Sequence, residues 1–330
     1  MRGSCLKFSF KNVQKSILMI FALMLATLSL SATQAAAAPP SNGKTLIGVA
    51  VPGSTPAELN AFQATSGKSP AIVMDYSDWA HRPNFPTDFA TSVTSRGAQP
   101  MITWEPWDNS KGSVNQPAYR LSRITAGAYD AQIRRWATQV RAWNNPLYLR
   151  FGHEMNGNWY SWDEGVNGNK AGDYVKAYRH VHDIFKSVGV TNVSWVWSPN
   201  VVYNGSTSLK GLYPGDAYVD WTALDGYNWG TTNGHSWQTF ASVFNKSIAQ
   251  VKATSNKPFM IGEVGSAAKG GNKAAWISDM FTQLALRPDI RAFIWFNYNK
   301  ETDWRIQSQS VVATAFRNGL AAKRYIPGNK

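Results

Sequence analysis

Eight short apolar runs recur along the chain and alternate with segments of helical periodicity. The runs are rich in β-branched and aromatic residues and begin near residues 46, 71, 100, 146, 193, 223, 258 and 291. Several are apolar almost throughout, which is typical of parallel strands covered on both faces. Between them, residues 129–143 and 173–188 repeat apolar side chains every three or four positions, and Gly189 ends the second helix. This alternation predicts one α/β domain, a single (β/α)8 TIM barrel rather than a doubly wound sheet.

The first 38 residues are typical of a secretory signal peptide and are set apart from the barrel. Basic residues precede the apolar block ILMIFALMLATLSL, and the small-residue run SATQAAAAPP follows it. A membrane anchor is the alternative, but the block is shorter than the stretch of about 20 apolar residues that spans a bilayer. We expect cleavage near Ala37 or Ala38 and secretion of residues 39–330, free of the membrane. Cys5, the only cysteine, lies in this leader, so the secreted chain would form no disulfide.

Charge and composition narrow the class of ligand. The chain has 33 Lys and Arg against 20 Asp and Glu, but the basic residues are not clustered and no nucleic-acid-binding motif is present. A nucleic-acid partner is therefore not expected. The 15 Trp, 13 Tyr and 15 Phe exceed what a core of this size requires, so we expect some of these rings to bind a ligand.

Polar and aromatic residues stand at most carboxyl ends of the predicted strands. In a (β/α)8 barrel this edge carries the functional side chains. One polar residue there would be ordinary, because a strand that leaves a sheet meets water. Seven of the eight strand ends share the pattern, with Asp75 and Trp79, then Trp104, Glu105 and Trp107, then His153 and Glu154, Trp197 and Asn200, Asp225 and Tyr227, Glu263, and finally Trp295 and Asn297.

Glu154 and Glu263 are the strongest candidates for chemistry. Each follows an apolar run, where an unpaired charge is costly to desolvate, and the fourth and seventh strands face each other across the barrel mouth. Two carboxyl groups in one pocket are the equipment of a glycosidase: one, protonated, donates to the leaving oxygen, and the other, ionised, attacks the anomeric carbon. The pair therefore predicts hydrolysis of glycosidic bonds.

Aromatic residues near these glutamates suit a carbohydrate ligand. Indole and phenol rings offer flat apolar faces to the C–H faces of pyranoses. A groove that holds several sugars of a polymer would make the enzyme endo-acting, and its candidate rings are Trp104, Trp107, Trp159, Tyr160, Trp162, Trp229 and Trp304. Three others, Trp136, Trp143 and Trp195, lie on helix or strand faces and are predicted to pack in the core.

Several segments resemble glycoside hydrolase family 26. RFGHEMNGNWYSW, residues 150–162, resembles the family's acid/base segment after the fourth strand, and PFMIGEVGS, residues 258–266, is similar to its nucleophile segment on the seventh. The segments MITWEPWD, YPGDAYVDWTALDGYNWG, GGNKAAWI and NKETDWRI resemble the branch of the family that holds licheninases, which cut β-1,4 bonds in mixed-linkage β-1,3-1,4-glucan. The resemblance covers essentially all of residues 39–330.

The resemblance implies a retaining mechanism and roles for individual residues. Glu154 would be the general acid/base and Glu263 the nucleophile, with their carboxyl groups about 5 to 5.5 Å apart. Tyr227, which follows Asp225 in the family's Asp-x-Tyr segment, would hold the nucleophile ionised and aimed. His153 would bind the sugar beside the cleaved bond, and Trp159 would flank that bond on the leaving-group side.

Arg150 precedes Glu154 on the same strand in alternating register, and we expect it to place a charge near Glu263. A solvated or helix-paired arginine is the alternative. With these assignments, the predicted substrate-binding residues are His153, Trp159, Tyr227, Asp225, Trp104, Glu105, Trp107, Trp162, Trp229, Trp295 and Arg150.

Other functions remain open at this level. An endo-β-1,4-mannanase or an exopolysaccharide hydrolase would use the same two glutamates, although the family's mannanases usually carry histidine on the third strand, where this chain has TWEPW. A non-catalytic carbohydrate-binding barrel would be expected to have lost one glutamate. The five histidines show no zinc-ligand spacing, so no metal or other cofactor is predicted. We expect a monomer whose partner is a β-glucan or β-mannan.

Overall fold

The computed structural model describes residue 1, residue 3 and residues 34–329. One compact unit begins at Gln34 and contains the whole barrel. Residues 4–33, which make up most of the predicted signal peptide, lie outside the described residues. Among the helices that are described, none is both long enough and apolar enough to cross a bilayer.

Eight parallel strands close into a barrel in residues 34–329, which confirms the predicted fold. β1 pairs with both β2 and β8, so the sheet has no open edge between its first and last barrel strands. A short ninth strand pairs in parallel with the first two residues of β1. The strands are β1 (Thr45–Ala50), β2 (Ile72–Asp78), β3 (Gln99–Glu105), β4 (Leu147–Phe151), β5 (Val193–Trp197), β6 (Trp221–Asn228), β7 (Phe259–Ser266), β8 (Ile290–Phe296) and β9 (Tyr325–Ile326).

Eight α-helices lie between and after these strands in the described part of the chain. They are α1 (Pro56–Ser66), α2 (Thr87–Ser95), α3 (Leu121–Thr125), α4 (Asp130–Trp143), α5 (Asp173–Val188), α6 (Phe240–Thr254), α7 (Lys273–Ala285) and α8 (Ser310–Leu320). The two helices predicted from their periodicity are α4 and α5. Gly189 ends α5 with φ of +79°, a left-handed conformation that glycine adopts without a steric penalty.

Strand alternation divides the core into two layers. Side chains that point into the barrel, such as Met101, Tyr148 and Met260, pack with one another inside it. Their neighbours along each strand point outward and pack against the helices, as Ile102 and Leu149 do. Side chains alternate between the two faces along a strand, so a residue at the end of a strand points into the same layer as the residue two positions before it.

A break in this alternation on β7 positions Glu263. Ile261 and Val264 both pack in the outer layer although they are three positions apart, and the register between β7 and β8 shifts between them. The irregularity turns the Glu263 side chain into the barrel. Glu263 therefore lies within a strand rather than after it, which differs from the prediction, whereas Glu154 lies three residues beyond the end of β4.

Candidate active site

A cleft of about 1140 Å³ opens at the carboxyl ends of the barrel strands, and both predicted catalytic glutamates line it. Six of the predicted substrate-binding residues line the same cleft, namely Glu105, Trp107, His153, Trp159, Tyr227 and Trp229. The strand ends of this fold converge on one edge, so side chains far apart in sequence meet there. The cleft is thus the place where the predicted chemistry can occur.

Three donors converge on the Glu263 carboxylate. The Tyr76 hydroxyl donates to Oε1 at 2.7 Å, and Nη2 of Arg150 donates to the same oxygen at 2.5 Å. The Tyr227 hydroxyl donates to Oε2. Both carboxylate oxygens are therefore fixed in direction, and a full positive charge lies against one of them, which suits an anionic nucleophile.

Arg150 connects four strands beneath the cleft. Its side chain is fully buried, and besides Glu263 on β7 it binds Thr103 on β3 through Nε at 2.8 Å and Asp225 on β6 through Nη1 at 2.6 Å. Asp225 in turn accepts a hydrogen bond from the Ser198 hydroxyl at 2.9 Å. Each of the three guanidinium nitrogens thus makes a hydrogen bond, and the two acidic partners share one buried positive charge.

Glu154 lies in a tight turn after β4. Its φ is +53°, and its amide donates to the Ser198 carbonyl at 2.7 Å, which fixes the turn. The indole Nε1 of Trp159 donates to Glu154 Oε2 at 2.8 Å. Burial raises the pKa of Glu154 to about 8, and the negative charge of Glu263 adds to the rise. Glu154 is therefore protonated at neutral pH, as a general acid must be.

His153 and Glu105 form an uncharged polar wall of the cleft. Burial, with the nearby charge of Arg150, holds the pKa of His153 well below its usual value, so the ring is neutral. Burial also raises the pKa of Glu105 to about 8, which keeps this carboxyl protonated at neutral pH. Its Oε1 lies 4.0 Å from His153 Nδ1, and its Oε2 accepts from Trp107 Nε1 at 3.4 Å. The wall offers donors to sugar hydroxyls without a net charge.

Aromatic rings border the glutamate pair on different sides. Trp107 packs edge-on against Tyr160, with ring centroids 5.3 Å apart, next to His153. Trp229 packs edge-on against Trp304 at 5.1 Å, beside Tyr227. Trp159 borders Glu154. These apolar faces suit pyranose rings on more than one side of the reacting bond.

Three predicted substrate-binding tryptophans lie in the core instead, so a direct sugar contact is wrong for them. Trp104 points outward from β3 and stacks on Trp136, with centroids 4.5 Å apart. Trp295 points outward from β8 and packs against Phe316. Trp162 is buried behind Tyr160, and its indole donates to the His153 carbonyl at 2.7 Å. Strand alternation sends the first two away from the cleft, while Trp162 supports the cleft wall from behind.

The predicted charge of Arg150 beside Glu263 is confirmed. Arg150 and Asp225 were also predicted to bind substrate, and that prediction needs a correction. Both side chains are fully buried beneath the cleft and contact each other, Thr103, Ser198 and Glu263 rather than the open space. A sugar cannot reach them. They act through Glu263, whose orientation they help to fix.

Tyr76, Tyr298 and Tyr203 also line the cleft and were not among the predicted substrate-binding residues. Tyr76 had a usable signal, because it lies two positions after Met74 on β2 and must share the inward face with it. Tyr203 and Tyr298 lie in loops, where no periodicity indicates direction. In the ranges that the structure describes, no group of His, Cys, Asp and Glu side chains is arranged to hold a metal ion.

Sequence comparison with known proteins also indicates a glycoside hydrolase. The model of glycosyl hydrolase family 26 matches residues 48–318. Endoglucanase H of Acetivibrio thermocellus is 41% identical over 281 residues, which are 82% of this chain and 30% of that protein. A β-1,3-xylanase, TXYA, from a Vibrio species is 24% identical over 75% of this chain and 56% of its own length. The chain thus spans about a third to a little over half of the length of these curated relatives.

Solved structures share the fold at lower sequence identity. A modular endo-β-1,4-mannanase from Cellulomonas fimi matches with a TM-score of 0.66 at 18% identity, over 87% of this chain and 73% of that one. GH26A from a Muricauda species matches with a TM-score of 0.62 at 22% identity, over 87% of this chain and 92% of that one. The family match spans most of the barrel, and the chain belongs to glycosyl hydrolase family 26, a family of retaining glycoside hydrolases.

Proposed function

We propose that this protein is a secreted, retaining endo-β-glycanase that hydrolyses β-1,4 bonds in mixed-linkage β-1,3-1,4-glucan. The observation that carries the proposal is the pairing of a buried, protonated Glu154 with a Glu263 carboxylate held by three donors, in one aromatic cleft. A double displacement needs a proton donor on one side of the bond and a second carboxyl group held for attack on the other.

In the first step, Glu154 donates its proton to the glycosidic oxygen while a Glu263 oxygen attacks the anomeric carbon. The bond between that carbon and the leaving oxygen breaks, and a glycosyl ester forms on Glu263. The Arg150 and Tyr227 donors keep the carboxylate aimed at the carbon until the bond forms.

In the second step, Glu154 takes a proton from water as the water attacks the same carbon and releases Glu263. The negative charge of Glu263 is one cause of the raised pKa of Glu154, and esterification removes that charge. The pKa of Glu154 therefore falls in the intermediate, so that the residue that served as the acid becomes a base.

Two observations support a glucan over a mannan. Endoglucanase H is 41% identical over 82% of this chain, whereas a mannan endo-1,4-β-mannosidase of Bacillus subtilis is 24% identical over 66% of it. In addition, Glu105 on β3 lines the cleft. It belongs to the segment TWEPW on the third strand, where a resemblance to the family's mannanases would imply a histidine. An uncharged carboxyl group offers sugar hydroxyls a different hydrogen-bonding pattern from an imidazole.

A reducing-sugar assay on lichenan, barley β-glucan, carob mannan and β-1,3-xylan tests the substrate class. We expect the highest kcat/KM on the two mixed-linkage glucans, with the β-anomer as the first-formed product by NMR. Glu263→Ala is the matched control and should release no sugar above background.

Higher activity on carob mannan would replace the glucan assignment by a mannanase. Binding of a polysaccharide in affinity electrophoresis without any release of sugar would instead indicate a non-catalytic carbohydrate-binding barrel. An inverted product would contradict the double displacement.

A further inference from the structure

Tyr203 has the most exposed side chain among the Phe, Trp and Tyr residues in 34–329, at 39%. The other large apolar side chains exposed in these residues, Leu286 and Val311, lie on or next to the outer helices α7 and α8. Tyr203 instead lies in the loop after β5, on the rim of the cleft. Tyr203 therefore presents a ring at the cleft rim, where a ligand in the cleft can reach it.

The position of Tyr203 relative to the reacting groups follows from Trp159. The Trp159 indole donates to Glu154, and the Tyr203 ring lies 5.6 Å from the Trp159 ring, with the two planes inclined by 34°. Glu154 protonates the leaving oxygen, so the row Glu154, Trp159, Tyr203 runs away from the cleaved bond on the leaving-group side. The separation of the two rings is close to the length of one sugar in an extended β-1,4-linked chain.

The loop that carries Tyr203 is tied to the loop that carries Glu154. The Asn156 side chain accepts from the Asn200 amide at 2.8 Å and donates to the Asn200 carbonyl at 2.9 Å, and the Thr207 amide donates to the Asn156 carbonyl at 3.0 Å. The Val202 amide donates to the Ser247 hydroxyl at 2.8 Å. These bonds fix both ends of the loop, so little conformational entropy is lost when a sugar binds to the ring.

We propose that Tyr203 forms a second sugar-binding position on the leaving-group side, where its ring stacks on the pyranose that follows the one against Trp159. This inference rests on the proposed function and adds a preference to it. The enzyme would prefer to cleave glycosidic bonds whose leaving group contains at least two sugars. Tyr203 is thus a specificity-determining residue for cleavage within the polymer. It binds the sugar through its ring face rather than through its hydroxyl group. Within the described residues, Tyr203 forms hydrogen bonds with Ser206 through its backbone amide and carbonyl.

Two substrates with different leaving groups test the assignment. The first is a 2,4-dinitrophenyl β-glycoside of a mixed-linkage trisaccharide, whose leaving group ends before Tyr203. The second is a mixed-linkage pentasaccharide with an isotope label at its reducing end, and its fragments are identified by mass spectrometry. In Tyr203→Ala we expect kcat/KM for release of a two-sugar leaving group to fall about 10-fold, while the aryl glycoside is unaffected.

Tyr203→Phe is the matched variant, because it keeps the ring face, and it should behave as the wild type on both substrates. Leu286→Ala removes an exposed apolar side chain beside α7 and should change neither rate. If Tyr203→Ala cleaves the pentasaccharide as fast as the wild type, or slows both substrates equally, the inference is wrong. If the wild-type protein cleaves neither these glucan substrates nor their mannan counterparts, the proposed function itself fails, which is a different result.

Discussion

At the scale of single residues, the proposed chemistry depends on how burial and charge act on Glu154. Its carboxyl group is desolvated and lies near the Glu263 carboxylate, and both conditions disfavour a second negative charge. Arg150 offsets the charge of Glu263 but makes no hydrogen bond with Glu154 among its described contacts. Glu154 therefore carries a proton at the start of the reaction.

This difference predicts the pH profile. The pKa of Glu154 is raised to about 8, so the proton that it donates is present below that pH and is lost above it. We expect kcat/KM on barley β-glucan to fall above about pH 8, by up to about 10-fold per pH unit. In Glu154→Ala, a dinitrophenyl glycoside, which needs no proton donor, should show no such fall.

Glu105 is the control for this profile, because burial raises its pKa to about 8 as well. Glu105→Gln keeps an uncharged side chain of similar shape and should retain the alkaline fall. If the fall disappears in Glu105→Gln but persists in Glu154→Ala, Glu154 is not the group that titrates.

At the scale of strands and helices, alternation decides which residues reach the cleft. Glu105 and Trp104 are neighbours on β3, and the first lines the cleft while the second stacks on α4. The eight strands could be predicted because their apolar runs are local. The inward direction of Glu263 could not, because it depends on an irregularity between β7 and β8 that involves the pairing of two strands. The contacts of Arg150 with three other strands are likewise visible only after the barrel closes.

Substitutions of Trp104 and Trp107 test whether the first residue belongs to the core and the second to the cleft. Trp104→Ala should lower the free energy of unfolding by about 3–5 kcal/mol, because it leaves a large cavity against α4. Trp107→Ala should leave stability within about 1 kcal/mol and instead lower kcat/KM, mainly through KM. Urea denaturation and steady-state kinetics measure the two effects. The reverse pattern would place Trp104, not Trp107, in the cleft.

Arg150 should be central to the stability of the strands around it. Arg150→Met would leave Asp225 and Glu263 buried without their counter-charge, and we expect the free energy of unfolding to fall by about 3–5 kcal/mol at pH 7. Lys176→Met, which removes an exposed pairing with Asp173, should cost at most about 1 kcal/mol. Similar small losses in both variants, measured by tryptophan fluorescence in urea, would contradict the structural role of Arg150.

In the molecule as a whole, residues 34–329 form one barrel. The chain contains a single cysteine, so the barrel is stabilised by its packed core and not by an internal disulfide. The segment before residue 39 has the three parts of a signal peptide, and we propose that it directs secretion.

Mass spectrometry of the secreted protein tests this organisation. When the full chain is expressed in a secreting bacterial host, we expect protein in the medium that begins near residue 38 or 39 and is fully active. A version that starts at residue 39 should unfold at the same temperature and cleave the same substrates. Uncleaved protein held in the membrane fraction would indicate an anchor instead.

Trapping the glycosyl ester on the enzyme shows which of the two glutamates is the nucleophile. A 2-deoxy-2-fluoro dinitrophenyl glycoside of the preferred oligosaccharide slows hydrolysis of the glycosyl ester, so the ester accumulates and can be located by peptide mass spectrometry. We predict one added glycosyl group per chain, on Glu263, with no label in Glu263→Ala. A label on Glu154, or turnover without any label and with inversion at the anomeric carbon, would contradict the assignment of the two glutamates.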